Sequence, residues 1–118
     1  MFNLTRFVLG ATMHNLASFL DALGRHQDAL VMQEKALEVW RRTLSKNHTN
    51  IGAACFNISK SYLQVTGDFH GAIERAREAL RLWQATLPPS HPSVAMAQEW
   101  VHTIEGSLAR LSQPKRFR

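Results

Sequence analysis

The chain has 118 residues, 45% of them hydrophobic and 19% charged, with no low-complexity run. That composition excludes a disordered chain, and the length excludes a second sizeable domain. The formal charge is +5, but Lys115, Arg116 and Arg118 supply three of those units, so the basic character is mostly that of a solvated tail over 112–118, with about +2 left on residues 1–114.

The N-terminal stretch carries Arg6 among its apolar residues, and eighteen apolar residues run together nowhere. Neither a signal peptide nor membrane insertion is expected. The first predicted helix covers about 4–23, where Met13, Leu16, Leu20 and Leu23 step by helical intervals along one face. Gly24 follows, at a tight turn that needs a residue tolerant of positive φ. The second helix, about 27–44, sets Ala29, Met32, Ala36 and Val39 on one face beside a line of Leu30, Leu37 and Leu44. The small residues allow close approach of a partner helix.

The third helix, about 50–66, repeats the pattern of the first with Ile51, Cys55, Ile58, Tyr62 and Val65. Gly67 is its turn glycine, and Asp68 is a suitable N-cap for the fourth helix, about 69–86, with Ala72, Ala76, Ala79 and Trp83 on one face and Ile73, Leu80 and Leu87 beside them. No proline precedes Pro88. Pro92 suits the first turn of a fifth helix, about 92–111, whose Val94, Ala97, Val101, Ile104 and Leu108 have no following helix to cover any surplus apolar face. Glu34, Glu38, Arg42, Glu74, Arg77, Glu78 and Arg81 are expected on solvated faces in short-range pairs.

The two halves are copies. Asn15 recurs as Asn57 at an offset of 42, and Gly24, Ala29, Ala36, Leu37, Trp40, Leu44 and His48 recur 43 residues on. The expected fold is therefore all-α: two helical hairpins, about 9–48 and 49–91, and a partial third repeat over 92–111, together one domain of residues 1–111. Recurrence of Trp40 and Trp83 at a packing position argues for core, and recurrence of His48 and His91 for a structural bond in the loop between repeats.

Nothing in the residues points to catalysis, a metal or a cofactor. The six histidines form no i,i+3 or i,i+4 pair, and no phosphate loop or nucleophile elbow occurs. Cys55, the single cysteine, excludes an internal disulfide and lies on an apolar stripe, which indicates a buried thiol and a reducing, cytoplasmic location.

Leu16-Ala17, Gly24, Ala29 and Ala36, and then Tyr62, Gly67, Phe69, Ala72 and Ala79, resemble the tetratricopeptide repeat. The period exceeds the usual length of about 34, and Asn15-Leu16-Ala17, Ala36-Leu37, Leu44 ahead of His48, Asn57-Ile58 and the run from Leu87 to Ala95 are similar to the long repeats of kinesin light chain. His26 in place of an aromatic, Thr49 in place of a proline and Trp100 in place of an asparagine depart from that pattern. The resemblance implies a right-handed α-α superhelix acting as a protein-interaction scaffold or adaptor. A peptide or partner protein would occupy a concave groove lined by His14, Asn15, Ser18, Asp21, Phe56, Asn57, Lys60, Gln64, Glu99, Trp100 and Thr103. Asn15 and Asn57 are the leading candidates there, since an amide both donates and accepts; bonding within or between helices is the alternative. With Lys60 the only basic groove residue besides His14, no specific nucleic-acid partner is expected. Two hairpins and a lone helix make a short array, so a structural or oligomerisation segment, a homo-oligomer or part of a longer array is the competing expectation.

Overall fold

The computed structural model describes residues 4–44 and 48–113. Five α-helices follow one another: α1 (Leu4–Ala22), α2 (His26–Thr43), α3 (Thr49–Thr66), α4 (Phe69–Thr86) and α5 (Pro92–Leu111). Among the described residues there is no strand. The basic tail beyond Gln113 lies outside them.

The ends of the helices have local causes. Gly24 and Gly67 adopt φ of 80° and 69°, the left-handed conformation that lets the chain reverse after α1 and α3. Asp68 caps α4 by accepting from the His70 amide at 3.0 Å. His48 and His91 do the same for α3 and α5, their Nδ1 atoms accepting from the amides of Asn50 at 3.0 Å and Ser93 at 3.1 Å. The recurrent histidines of the sequence are thus imidazole N-caps, and Pro92 begins α5, where a missing N–H costs nothing.

Each helix packs chiefly on its sequence neighbours, giving a stack of antiparallel helices 63 Å long. Within each hairpin a tryptophan packs the pyrrole part of its indole against a glycine of the preceding helix. The Trp40 indole covers Gly10 and donates from Nε1 to the Phe7 carbonyl at 3.3 Å. The Trp83 indole covers Gly52 and donates to the Thr49 carbonyl at 3.1 Å. Ala29, Ala36, Ala72 and Ala79 are fully buried on the same helices, as close approach requires. Leu37, Trp40, Ile51, Ile58, Leu82 and Trp83 form the central core, and Ala72, Ile73, Ala76, Val101 and Ile104 a second cluster beneath α5.

Three expectations need correction. The stripe of α1 is not buried throughout: Leu16 and Leu23 are 43% and 59% exposed, because half of that stripe turns away from α2 and no other helix among the described residues covers it. Conversely, Val94, Ala97, Val101 and Ile104 of α5 are buried, since α4 covers the face expected to be in surplus. Glu78 is not on a solvated face. It is half-buried and accepts from Arg41 of α2 at 2.7 Å and from Arg75 at 3.2 Å. Arg77 reaches across to Glu105 of α5, whereas Glu38 and Arg42 do form the expected i,i+4 pair.

The indole-over-glycine contacts are testable. A Cβ on Gly52 would stand 2.7 Å from Trp83 Nε1, so Gly52→Ala must displace the ring and is expected to destabilise by about 1–3 kcal/mol. At Gly106, where an added Cβ meets nothing nearer than the Arg110 guanidinium at 3.8 Å, the same substitution should stabilise by roughly 0.5–1 kcal/mol through helix propensity. Thermal and urea unfolding followed by circular dichroism compares the two.

Candidate functional site

The first helices of the repeats, α1, α3 and α5, carry all the residues singled out for the groove. On α3, Phe56, Lys60 and Gln64 follow at intervals of four, with Asn57 beside them. On α5, Glu99, Trp100 and Thr103 do likewise.

Five of these residues meet. Phe56 and Lys60 of α3 and Glu99, Trp100 and Thr103 of α5, with Met96, line a cleft of about 340 Å³. Its floor is aromatic and held in place. Phe56 is nearly buried and packs on the Trp83 ring at 5.5 Å between centroids. Trp100 donates from Nε1 to Ser59 Oγ at 2.8 Å, and Ser59 in turn donates to the Ala72 carbonyl at 2.6 Å, so one relay of hydrogen bonds ties α5 to α3 and α4. The Lys60 ammonium stands 5.5 Å from the Phe56 ring centroid, within range of a cation–π attraction. Glu99 and Lys60 are both exposed, so an apolar floor is flanked by one charge of each sign.

The remaining candidates lie elsewhere. His14 and Asn57 pair across α1 and α3, the Asn57 amide Nδ2 lying 3.4 Å from His14 Nε2, which is the interhelical alternative weighed for this asparagine. The His14 ring also rests 5.5 Å from that of Trp40, and its Nδ1 is buried without a partner. Burial holds the His14 pKa below its ordinary value. Asp21 is engaged within the protein. One carboxylate oxygen is 2.9 Å from His26 Nδ1, and the other accepts from Gln33 at 3.3 Å and Ser61 at 3.1 Å. The departure of His26 from an aromatic thus supplies a partner for Asp21. Asn15, Ser18 and Gln64 are exposed and outside the cleft, with the Ser18 hydroxyl donating to the His14 carbonyl.

Sequence reasoning missed Met96, which is 47% exposed in the cleft. Its position one turn before Trp100 on the same helix was the available signal. Among the described residues, no group of three His, Cys, Asp or Glu side chains could hold a metal ion, and no helix is long and apolar enough to cross a membrane. Cys55 is fully buried; burial, reinforced by the neighbouring Glu78 carboxylate and partly offset by Arg41 and Arg75, pushes its thiol up to about 12.

Stacked helical hairpins with an aromatic cleft between successive first helices define a helical-repeat solenoid. The sequence matches the tetratricopeptide repeat over residues 8–85, and the chain belongs to that family. Its fold is shared with the crystal structure of nearly identical tetratricopeptide-like repeats of a protein from Podosopora anserina described as a kinesin light chain, at a TM-score of 0.70 and 21% identity. A point variant of that protein matches at 0.70 and 20%. In both comparisons 85% of this chain is covered, and it spans about half, 47%, of the length of the other. No curated protein matches the sequence.

Two titrating groups give predictions. Because the folded state depresses the His14 pKa below 6.5, the unfolded chain binds more protons on acidification. The stability this neutral imidazole contributes is complete above about pH 6.5 and is lost as pH falls toward the folded pKa. His14→Gln, which does not titrate, should reduce the decline in unfolding free energy between about pH 7.5 and about pH 5.5, measured by urea titration. Cys55 should resist thiol reagents in the native protein at about pH 8 and react fully once urea unfolds it.

Proposed function

We propose that this chain is a protein-interaction module that takes a peptide segment of a partner protein into the cleft between α3 and α5, in a scaffold or adaptor role. The observation that carries the reading is the cleft itself, walled by Phe56, Met96 and Trp100 and flanked by Lys60 and Glu99. Membership of a helical-repeat family supports it.

The chemistry suits a peptide better than a small metabolite. Phe56 and Trp100 are immobilised by packing and hydrogen bonding before any ligand arrives, so little ordering cost remains at binding. Their faces offer the kind of aromatic surface on which interface energy concentrates. Met96 is unbranched and adapts its shape to what it touches. An apolar ligand side chain would be desolvated on this floor, while Lys60 and Glu99, of opposite sign, would orient the polar backbone and flanking groups. Asn15, exposed on α1 and outside the cleft, would add a polar contact for a longer ligand, while Asn57 is paired with His14. The alternative, a structural or oligomerisation role, rests on a different surface, the outer side of α1.

Selection of a displayed random peptide library on the immobilised protein should yield binders, with affinities read by fluorescence anisotropy. Thr103→Trp, at an exposed position that fills the cleft, is expected to weaken them by about 10-fold or more, equivalent to about 1.4 kcal/mol, with an unchanged circular dichroism spectrum. Binders indifferent to Thr103→Trp would remove the cleft from the recognition surface.

A further inference from the structure

With the cleft between α3 and α5 taken as the peptide site, as proposed above, we infer that the segment it receives is dipolar. An apolar anchor residue carries a carboxylate on the side that meets α3 and an ammonium or guanidinium on the side that meets α5. Net charge, +5 for the whole chain, would by itself favour an acidic ligand. The cleft is balanced instead. Of its lining residues only Lys60, on the α3 wall, and Glu99, on the α5 wall, are formally charged.

Both charges are available to a ligand. Lys60 is the only charged residue of α3, and its ammonium stands beside the Phe56 ring with no carboxylate partner among the described residues. Glu99 has no cationic partner among them, and although the two line one cleft they form no ion pair with each other. Charges on the neighbouring helices are spent internally: Glu105 of α5 pairs with Arg77, Glu78 of α4 with Arg41 and Arg75, and Asp21 of α1 is held by His26, Gln33 and Ser61. Lys60 and Glu99 are exposed and therefore hydrated in the free protein. A ligand that covers Phe56, Met96 and Trp100 strips water from both, and a charge that loses hydration without gaining a partner opposes binding. A doubly acidic segment would compensate Lys60 but set its other carboxylate beside Glu99; a doubly basic one fails at Lys60 in the same way. Opposite charges on the two sides of the anchor satisfy both walls, and the repulsion met by any other pattern is what discriminates among ligands. The dimensions agree. Trp100 and Ser59 join α5 to α3 directly, and helices in contact stand about 8–10 Å apart. An extended segment advances about 3.3 Å per residue, so side chains two residues to either side of the anchor span about 13 Å and come to the two walls.

Peptides selected on the whole protein from a displayed random library supply the test, with affinities read by fluorescence anisotropy. Binders that Thr103→Trp weakens should share an apolar residue with an acidic residue on one side of it and a basic residue on the other. Lys60→Glu and Glu99→Lys should each weaken such a peptide by about 5- to 10-fold. The double variant Lys60→Glu/Glu99→Lys should regain most of that loss for the same peptide with its two charges exchanged, a rescue that damage to the fold cannot produce. The discrimination should shrink as salt rises from about 0.05 M to about 0.5 M. Binders sensitive to Thr103→Trp whose flanks are both acidic, both basic or both uncharged would overturn the inference while leaving the cleft as the peptide site. A charge-exchanged peptide that gains nothing on the double variant would do the same. Binders indifferent to Thr103→Trp would overturn it together with the cleft itself.

Discussion

The architecture depends on an indole packed against a helix at a position that has no side chain. A tryptophan between two helices normally holds their axes apart by the bulk of its ring. Here Gly10 and Gly52 take that bulk into the surface of the first helix of each hairpin, and the indole N–H finds a backbone carbonyl in the first turn, Phe7 or Thr49. The buried donor is satisfied and the two helices are locked in one rotation. That rotation decides which side chains look outward. His14 sits on the Trp40 ring and Phe56 on the Trp83 ring, so each indole supports the groove-side residue one turn after its glycine. The aromatic floor of the cleft is an extension of the hairpin core.

Between hairpins, polar contacts fix what apolar burial alone would leave adjustable. Asp21 gathers His26, Gln33 and Ser61 from α2 and α3; Glu78 gathers Arg41 and Arg75; Ser59 links Trp100 to the Ala72 carbonyl. Hydrogen bonds are directional, and a half-buried carboxylate with its partners removed is costly, so such clusters specify register more than they add stability. The cleft owes its existence to the last of them. Trp100 occupies the repeat position that Asn15 and Asn57 hold in the earlier helices, and the Ser59 hydroxyl anchors its inner edge while the outer face remains available.

The two ends of the stack differ in a way that bears on how the molecule meets others. α5 buries Val94, Ala97, Val101 and Ile104 under α4 and exposes Met96 and Leu111 among polar residues such as Gln98, Glu99, His102 and Thr103. α1 buries its small residues, Gly10 and Ala17, against α2 and turns large apolar ones outward.

By itself the sequence determined the local structure: five helices close to their observed limits, turn glycines at 24 and 67, an Asp68 cap, a buried Cys55, and the pairing of helices into hairpins. These follow from periodicity and backbone stereochemistry, which act over a few residues and leave a direct trace in residue order. Its resemblance to the tetratricopeptide repeat also brought Phe56, Lys60, Glu99, Trp100 and Thr103 forward together. Tertiary structure alone decided which of the proposed groove residues are spent internally. Nothing in the spacing of Asp21 distinguishes a ligand contact from a junction with Ser61, forty residues away, and Asn57 meets His14 only because the stacking of one hairpin on the next brings α1 and α3 together. It likewise decided that the bare apolar face belongs to α1 and not α5, since helical periodicity shows that a stripe exists but the stack decides which stripes find a neighbour to cover them.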